Sequence, residues 1–341
     1  MTTAAPHIAP GARYRLARLP QLLSLGRHPR TARLEQAHDQ WLRAHYPFAT
    51  AHERERFLSH RSTLWTSVCY PATDDERFHD LSRLTSFLFA FDDLFLSAGA
   101  TNRRQAQSVL DDSLRVLDGR CPRTPHGTAL AGIWAGMSRR MPPEQRCRLT
   151  AAVHDFSRGC HAETAARSGA IALDFDGYVR LRTEQSLAAW VYFVLTEYAA
   201  GVALDRDTRA ALRPLHLACA EHLLFANDLF SFRAEHFAGD HINAVCVLTR
   251  SGTGLQESVD RLVSLVTTQE HRVAALLRAS ADAAGPDVRR YLTALEHVVS
   301  GNLAQSRFAP RYHGTTAFIG RPIEAGTVTL WPDRTAYQPE E

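Results

Sequence analysis

From about residue 30 onward the chain repeats apolar side chains at intervals of three and four, the period of an α-helix with one buried face. Ala32–Tyr46 carries Leu34, Ala37, Trp41 and Leu42 on such a face, and Glu53–Tyr70 continues the pattern. Asp74, Asp75 and Glu76 supply the acidic start of a helix that turns apolar through Leu84–Phe91. Further helices are predicted at about 103–118, 126–141, 144–166, 174–203, 207–236, 253–280 and 285–304, with Gly119, Pro122, Pro142-Pro143, Gly239 and Gly252 at the joints. A strand pattern appears only near the end, at Gly326–Trp331. About ten helices with short joints and no linker predict an all-α, single-domain bundle over 31–312. An N-terminal extension over 1–30 and a C-terminal tail or lid over 313–341 flank it.

Composition adds limits. The 341 residues are 45% hydrophobic and 22% charged, enough for a large core. A net charge of +3 is too mild to argue for a nucleic-acid partner. Every basic side chain other than histidine is arginine, whose planar fork suits phosphate oxygens. Cys69, Cys121, Cys147, Cys160, Cys219 and Cys246 stand alone, which argues against a thiolate zinc site and a disulfide framework and for a reducing, cytoplasmic setting. The N-terminus has no apolar signal core. The longest apolar stretch, Leu187–Leu204, is interrupted by Thr196, Glu197 and Tyr198 and reads as a buried helix, not a membrane span.

Two constellations carry chemistry. Asp92 and Asp93 follow Phe87-Leu88-Phe89-Ala90-Phe91 and precede Leu94-Phe95-Leu96. Adjacent carboxylates inside an apolar helix are costly unless arginines or metal ions hold them. Asn227, Ser231 and Glu235 recur at every fourth position, so amide oxygen, hydroxyl and carboxylate share one side of a helix. All three are oxygen ligands suited to Mg²⁺, and the apolar run Leu215–Ala226 before them turns this face inward.

In these motifs and their order, the chain resembles the bacterial class I terpene synthases over most of its length. The resemblance rests on Asp92-Asp93 as the aspartate-rich motif, Asn227-Asp228-Leu229-Phe230-Ser231-Phe232-Arg233-Ala234-Glu235 as the second motif, and a C-terminal Arg311-Tyr312. Arg182 adds a fourth element, about 45 residues before Asn227. The resemblance implies the class I isoprenoid-synthase bundle and Mg²⁺-dependent ionisation of farnesyl or geranylgeranyl diphosphate, followed by cyclisation to a sesquiterpene or diterpene. It implies three Mg²⁺ ions with diphosphate bound, Asp92, Asn227, Ser231 and Glu235 as metal ligands, and Asp93 as partner of a diphosphate-contacting arginine. Arg182, Arg233, Arg311 and Tyr312 would contact the diphosphate, and Asp228 would make a structural salt bridge. A homodimer is common in the resembling family.

Several positions depart from the family pattern. Leu96 and Ser97 stand where a third acid is usual, Ala234 where many members carry a basic residue before the Glu, and Gln305 where a tryptophan is common. Ser186 corresponds to the small residue after the diphosphate-sensing arginine. A dry, aromatic cavity is needed to guard a carbocation, and Phe87, Phe91, Trp190, Phe193, Phe225 and Phe308 are candidates for its wall. Other readings are a chain-elongating prenyltransferase of the same fold, a His-Asp phosphohydrolase (dipeptides at 38/39, 79/80 and 154/155) and a non-catalytic helical isoprenoid-binding protein.

Overall fold

The computed structural model describes residues 8–96, 100–167, 173–282 and 284–340, without the side chains of 92, 94–96 and 100–103. After a short strand β1 (Arg13–Leu16) the chain is helical: α1 (Thr31–His45), α2 (Ala51–Ser59), α3 (Thr63–Cys69), α4 (Asp75–Leu96), α5 (Ala100–Leu117), α6 (Pro125–Ser138) and α7 (Pro143–Arg167). Then come α8 (Phe175–Leu181), a π-helical turn (Arg182–Ser186), α9 (Ala189–Ala200), α10 (Arg206–Ala211), α11 (Arg213–Phe237), α12 (Ala244–Arg250), α13 (Leu255–Ala281), α14 (Pro286–Ser306) and α15 (Pro310–His313). The strands β2 (Gly326–Leu330) and β3 (Thr335–Pro339) end it.

The bundle is built around α11, which packs on α13, α14, α15, α12 and α9 and is buried along nearly its whole length. Its neighbour α9 is buried on every side, as the apolar run of its sequence predicts. No helix among the described residues is long and apolar enough to cross a membrane. Two glycines mark the closest helix contacts. A Cβ on Gly159 of α7 would stand 2.7 Å from the backbone nitrogen of Ser186, and one on Gly301 of α14 would stand 2.6 Å from the Val68 carbonyl of α3.

Three predicted helices are divided. Glu53–Tyr70 breaks between α2 and α3 at Arg61, whose φ of 52° is held by a two-pronged bond to Glu35 (2.7 and 2.6 Å). The 174–203 helix opens into the π turn and a left-handed Ala188 (φ 61°). The Trp190 indole donates to the Thr183 carbonyl at 3.1 Å, satisfying a group in that disrupted stretch. The 207–236 helix restarts after Leu212, with Pro214 in the first turn of α11. The seven-residue α12, capped by Asn243, was not anticipated.

The terminal strand likewise has partners the pattern did not announce. β1, β2 and β3 form an antiparallel sheet in that order, with Tyr14 opposite Val328 and Val328 opposite Tyr337. The outer edge of β1 is closed by Gln256 of α13, which accepts from the Arg15 N–H (2.7 Å) and donates to the Arg15 carbonyl (2.9 Å). Just beyond, the N–H groups of Leu22 and Leu23 donate to Glu270 of α13 at 2.8 and 3.2 Å. His313 ties the C-terminal segment inward through Ser306 O (2.9 Å) and Thr335 Oγ1 (3.2 Å).

Burial, with arginines adding to it, lowers three of the core histidines from the ordinary 6.5: His38 to about 3, beside Arg83, and His216 and His313 to about 4, beside Arg213 and Arg233. Their folded values lie below the unfolded one, so an unfolded chain takes up protons first as the solution is acidified. The contribution of these histidines to stability is therefore full above about pH 6.5 and falls as pH drops toward about 4, and for His38 toward about 3. Thermal unfolding followed across that range is expected to show the decline, and His216→Gln, which can still bond Tyr291 Oη, to make it shallower.

Candidate active site

Five of the predicted site residues line one cavity. Arg182, Asn227, Glu235, Arg311 and Tyr312 surround a cavity of about 140 Å³, joined by Ser186. Each comes from a different constraint. Asn227 and Glu235 lie two turns apart on α11, Arg182 opens the π turn, and Arg311 and Tyr312 sit on the one-turn helix α15. The rest of the lining is largely apolar, from Leu88 and Phe89 on α4 to Tyr192 on α9 and Val298 on α14.

Polar contacts fix this lining. The Asn227 side-chain amide donates to Tyr312 Oη at 2.6 Å, turning its carbonyl oxygen away from that partner. The Arg311 guanidinium meets Asp93 Oδ1 at 2.7 Å and lies over the Phe89 ring, 5.6 Å from its centre, so α15 is joined to α4. Arg182 pairs with Glu163 of α7 at 2.5 Å. Burial works against the Arg182 charge, but Glu163 outweighs it and holds the guanidinium protonated. Burial pushes the Glu235 carboxyl up, Asp228 and Asp240 add to the shift, and Asn243, bonded at 2.8 Å, only partly offsets it.

These features fit a hard cation. Ser231, between Asn227 and Glu235, is 1% exposed, and its Oγ has no hydrogen-bond partner among the described residues. An orphaned buried hydroxyl beside a carboxylate strained by its acidic neighbours is the environment a divalent ion relieves. The donor atoms are all oxygen, which suits Mg²⁺ over softer metals. Among the described residues no three His, Cys, Asp or Glu side chains form a metal cluster by themselves. The side chain of Asp92, the predicted fourth ligand, lies outside the described residues.

Other predicted residues lie elsewhere. The Arg233 guanidinium turns away from the cavity to the carbonyls of Tyr312 (2.7 Å), Trp331 (3.3 Å) and Pro332 (2.8 Å). Asp228 makes no salt bridge among the described residues; its carboxylate accepts from the Tyr178 hydroxyl and from the Ala244 N–H at 2.7 Å. Phe87 and Phe91 line a second, largely apolar cleft among α4, α5, α6 and α7, which shares Leu88 and Phe156 with the cavity. Trp190 and Phe193 pack edge-to-face with each other, Phe225 stacks on Phe175, Gln305 is buried, and neither Gln305 nor Phe308 reaches the cavity wall. The His-Asp dipeptides are scattered, with His38 bonded to Ser86 and His154 to Asp118.

The aromatic wall is instead Trp65, Phe89, Phe156 and Tyr192. The helical period could have found Phe89, which lies three residues before Asp92 and so on its face. Tyr192 was displaced from view by the π turn, which shifts the register of everything after it. Arg167 and Asp240 also line the cavity and were not singled out, nor was Asn302, which accepts from the Trp65 indole at 3.2 Å.

The chain is similar to known proteins over most of its length. A family described as "Terpene synthase family 2, C-terminal metal binding" matches residues 83–272. The Microbial Terpene synthase-like protein 13 of Selaginella moellendorffii is 27% identical over 301 residues, covering 84% of each chain. Sesquiterpene synthase 6 of Postia placenta is 26% identical over 293 residues, 82% of this chain and 84% of its own. The solved linalool/nerolidol synthase of Streptomyces clavuligerus has a TM-score of 0.75 at 20% identity, over 85% of this chain and 100% of that one, and shares the fold. These relatives are plant, fungal and bacterial.

Replacing Arg233 by alanine would leave the carbonyls of Tyr312, Trp331 and Pro332 without their shared donor. The expected cost is about 2–4 kcal/mol, read from urea unfolding.

Proposed function

The chain belongs to terpene synthase family 2, and from that membership we propose that it ionises a linear prenyl diphosphate in the cavity beside α11 and cyclises the resulting carbocation. The observation that carries this reading is the single cavity lined by Arg182, Asn227, Glu235, Arg311 and Tyr312, with largely apolar and aromatic side chains making up the rest of its lining. Arginines for an anionic leaving group therefore line the same cavity as side chains that offer a cation no strong nucleophile.

The allylic carbon–oxygen bond breaks with both electrons going to oxygen, so negative charge grows on the diphosphate as the carbon becomes cationic. Arg182 and Arg311 donate to the leaving oxygens, and their carboxylate partners Glu163 and Asp93 fix the forks in advance of that charge. Tyr312, located through Asn227, adds a hydroxyl donor. Asn227, Ser231 and Glu235, with Asp92, would hold Mg²⁺. When bound, Mg²⁺ supplies Lewis-acid neutralisation of the diphosphate. The faces of Trp65, Phe89, Phe156 and Tyr192 favour positive charge without adding to it, and their packing excludes water. The product forms when the cyclised cation loses a proton or takes up water.

Farnesyl diphosphate is the substrate we favour. The matching relatives include a named sesquiterpene synthase. Gln305, which stands where the resembling family commonly has a tryptophan, does not line the cavity.

Incubation with farnesyl diphosphate and Mg²⁺, followed by solvent extraction and gas chromatography–mass spectrometry, is expected to yield a cyclic C15 product and free pyrophosphate. Chelator should abolish it, and Asn227→Ala or Glu235→Gln should lower kcat/KM by about 10²-fold or more while the protein stays folded. Absence of product from C10, C15 and C20 diphosphates alike, or activity indifferent to chelator, overturns the reading.

A further inference from the structure

The helix that carries Asn227 and Glu235 brings no positive charge of its own to the cavity. Ala234 is uncharged, and Arg233 is committed to three carbonyls on the far side. The missing charge arrives from α7. Arg167, its last residue, lines the same cavity as Arg182 and Glu235.

Its guanidinium is held firmly. Nε and Nη2 donate to the two oxygens of Asp240 at 3.0 and 2.9 Å, and Nη2 also lies 3.0 Å from Glu163 Oε2. The other Glu163 oxygen takes Arg182, so one buried carboxylate orients two arginines. Asp240 is itself fixed: its N–H donates to the Glu235 carbonyl (2.9 Å), and its carboxylate accepts from the Ile242 N–H (3.0 Å). Burial works against the Asp240 charge, yet Arg167 holds its carboxyl below the usual range.

An ion pair serving packing alone would be closed over. Here Asp240 is 5% exposed while the Arg167 side chain is 23% exposed and opens on the cavity. Arg167 and Arg182 share Glu163, so one carboxylate aims two guanidiniums that line the same cavity. Arg167 also sits beside the C-terminal end of α11, where the helix dipole favours a cation.

We propose that Arg167 is a third diphosphate-binding arginine, aimed by Asp240 and Glu163 and standing in for the charge absent at Ala234. The proposal rests on the terpene synthase reading above, and names one more group of its diphosphate site.

The test is calorimetric titration of inorganic pyrophosphate with MgCl₂ into the wild type, Arg167→Gln, Asp240→Asn and the double variant. Arg167→Gln is expected to weaken pyrophosphate about tenfold or more. Asp240→Asn, which loosens the guanidinium but keeps its charge, should weaken it by a clearly smaller factor. Should Arg167→Gln not fold, the double variant decides, since it leaves no unpaired carboxylate; it is expected to show the same loss. Wild-type affinity in either folded variant, or equal losses in Arg167→Gln and Asp240→Asn, overturns the proposal. A wild type that binds no pyrophosphate and releases none from C10, C15 or C20 substrates fails at the earlier step, bringing down the functional reading itself.

Discussion

The structure depends on the cost of leaving polar groups unpaired on a helix that is buried nearly all round. α11 carries Asn227, Asp228, Ser231, Arg233 and Glu235 within three turns, with Asp228, Ser231 and Arg233 buried from water. The partners that four of them find are the joints of the molecule. Asp228 fastens the ends of α8 and α12, Asn227 fastens Tyr312, Arg233 fastens the turn between β2 and β3, and Glu235 fastens Asn243. Ser231 is the exception, and it lies between the two residues that face the cavity.

That division separates support from chemistry on a single element. The residues pointing toward neighbouring helices bond to them, so they position the cavity lining. Those pointing into the cavity keep oxygen atoms in reserve. The arginines follow the same rule through their carboxylates: Glu163, Asp93 and Asp240 each hold a guanidinium that lines the cavity. Such prior orientation spares the site from reorganising as charge develops.

Much of this was legible in the sequence, for identifiable reasons. The all-α character follows from apolar spacing, and the spacing of Asn227, Ser231 and Glu235 puts them on one helix face. Less legible was whatever packing decides against local preference. No glycine or proline announces the π turn at Arg182–Ser186; it forms where Gly159 lets α7 press against the Ser186 backbone. Beyond it Trp190 bonds the Thr183 carbonyl, and Tyr192 lines the cavity. Arg167 and Asp240 are 73 residues apart, and no local pattern joins them. β1 and β3, short and pattern-poor, become strands only because β2 lies between them.

The sheet also bears on how the protein is made. Strands near residues 14 and 328 are hydrogen-bonded neighbours, so their pairing encloses almost the whole polypeptide as one loop. The entropic cost of such closure rises only slowly with loop length, but the contact cannot be rewarded until the helices between have packed. The β2–β3 turn in turn receives Arg233, which grips the Tyr312 backbone. A newly made chain can thus bury its apolar core before the cavity lining that includes Tyr312 is complete, and that lining is finished only with the last strands.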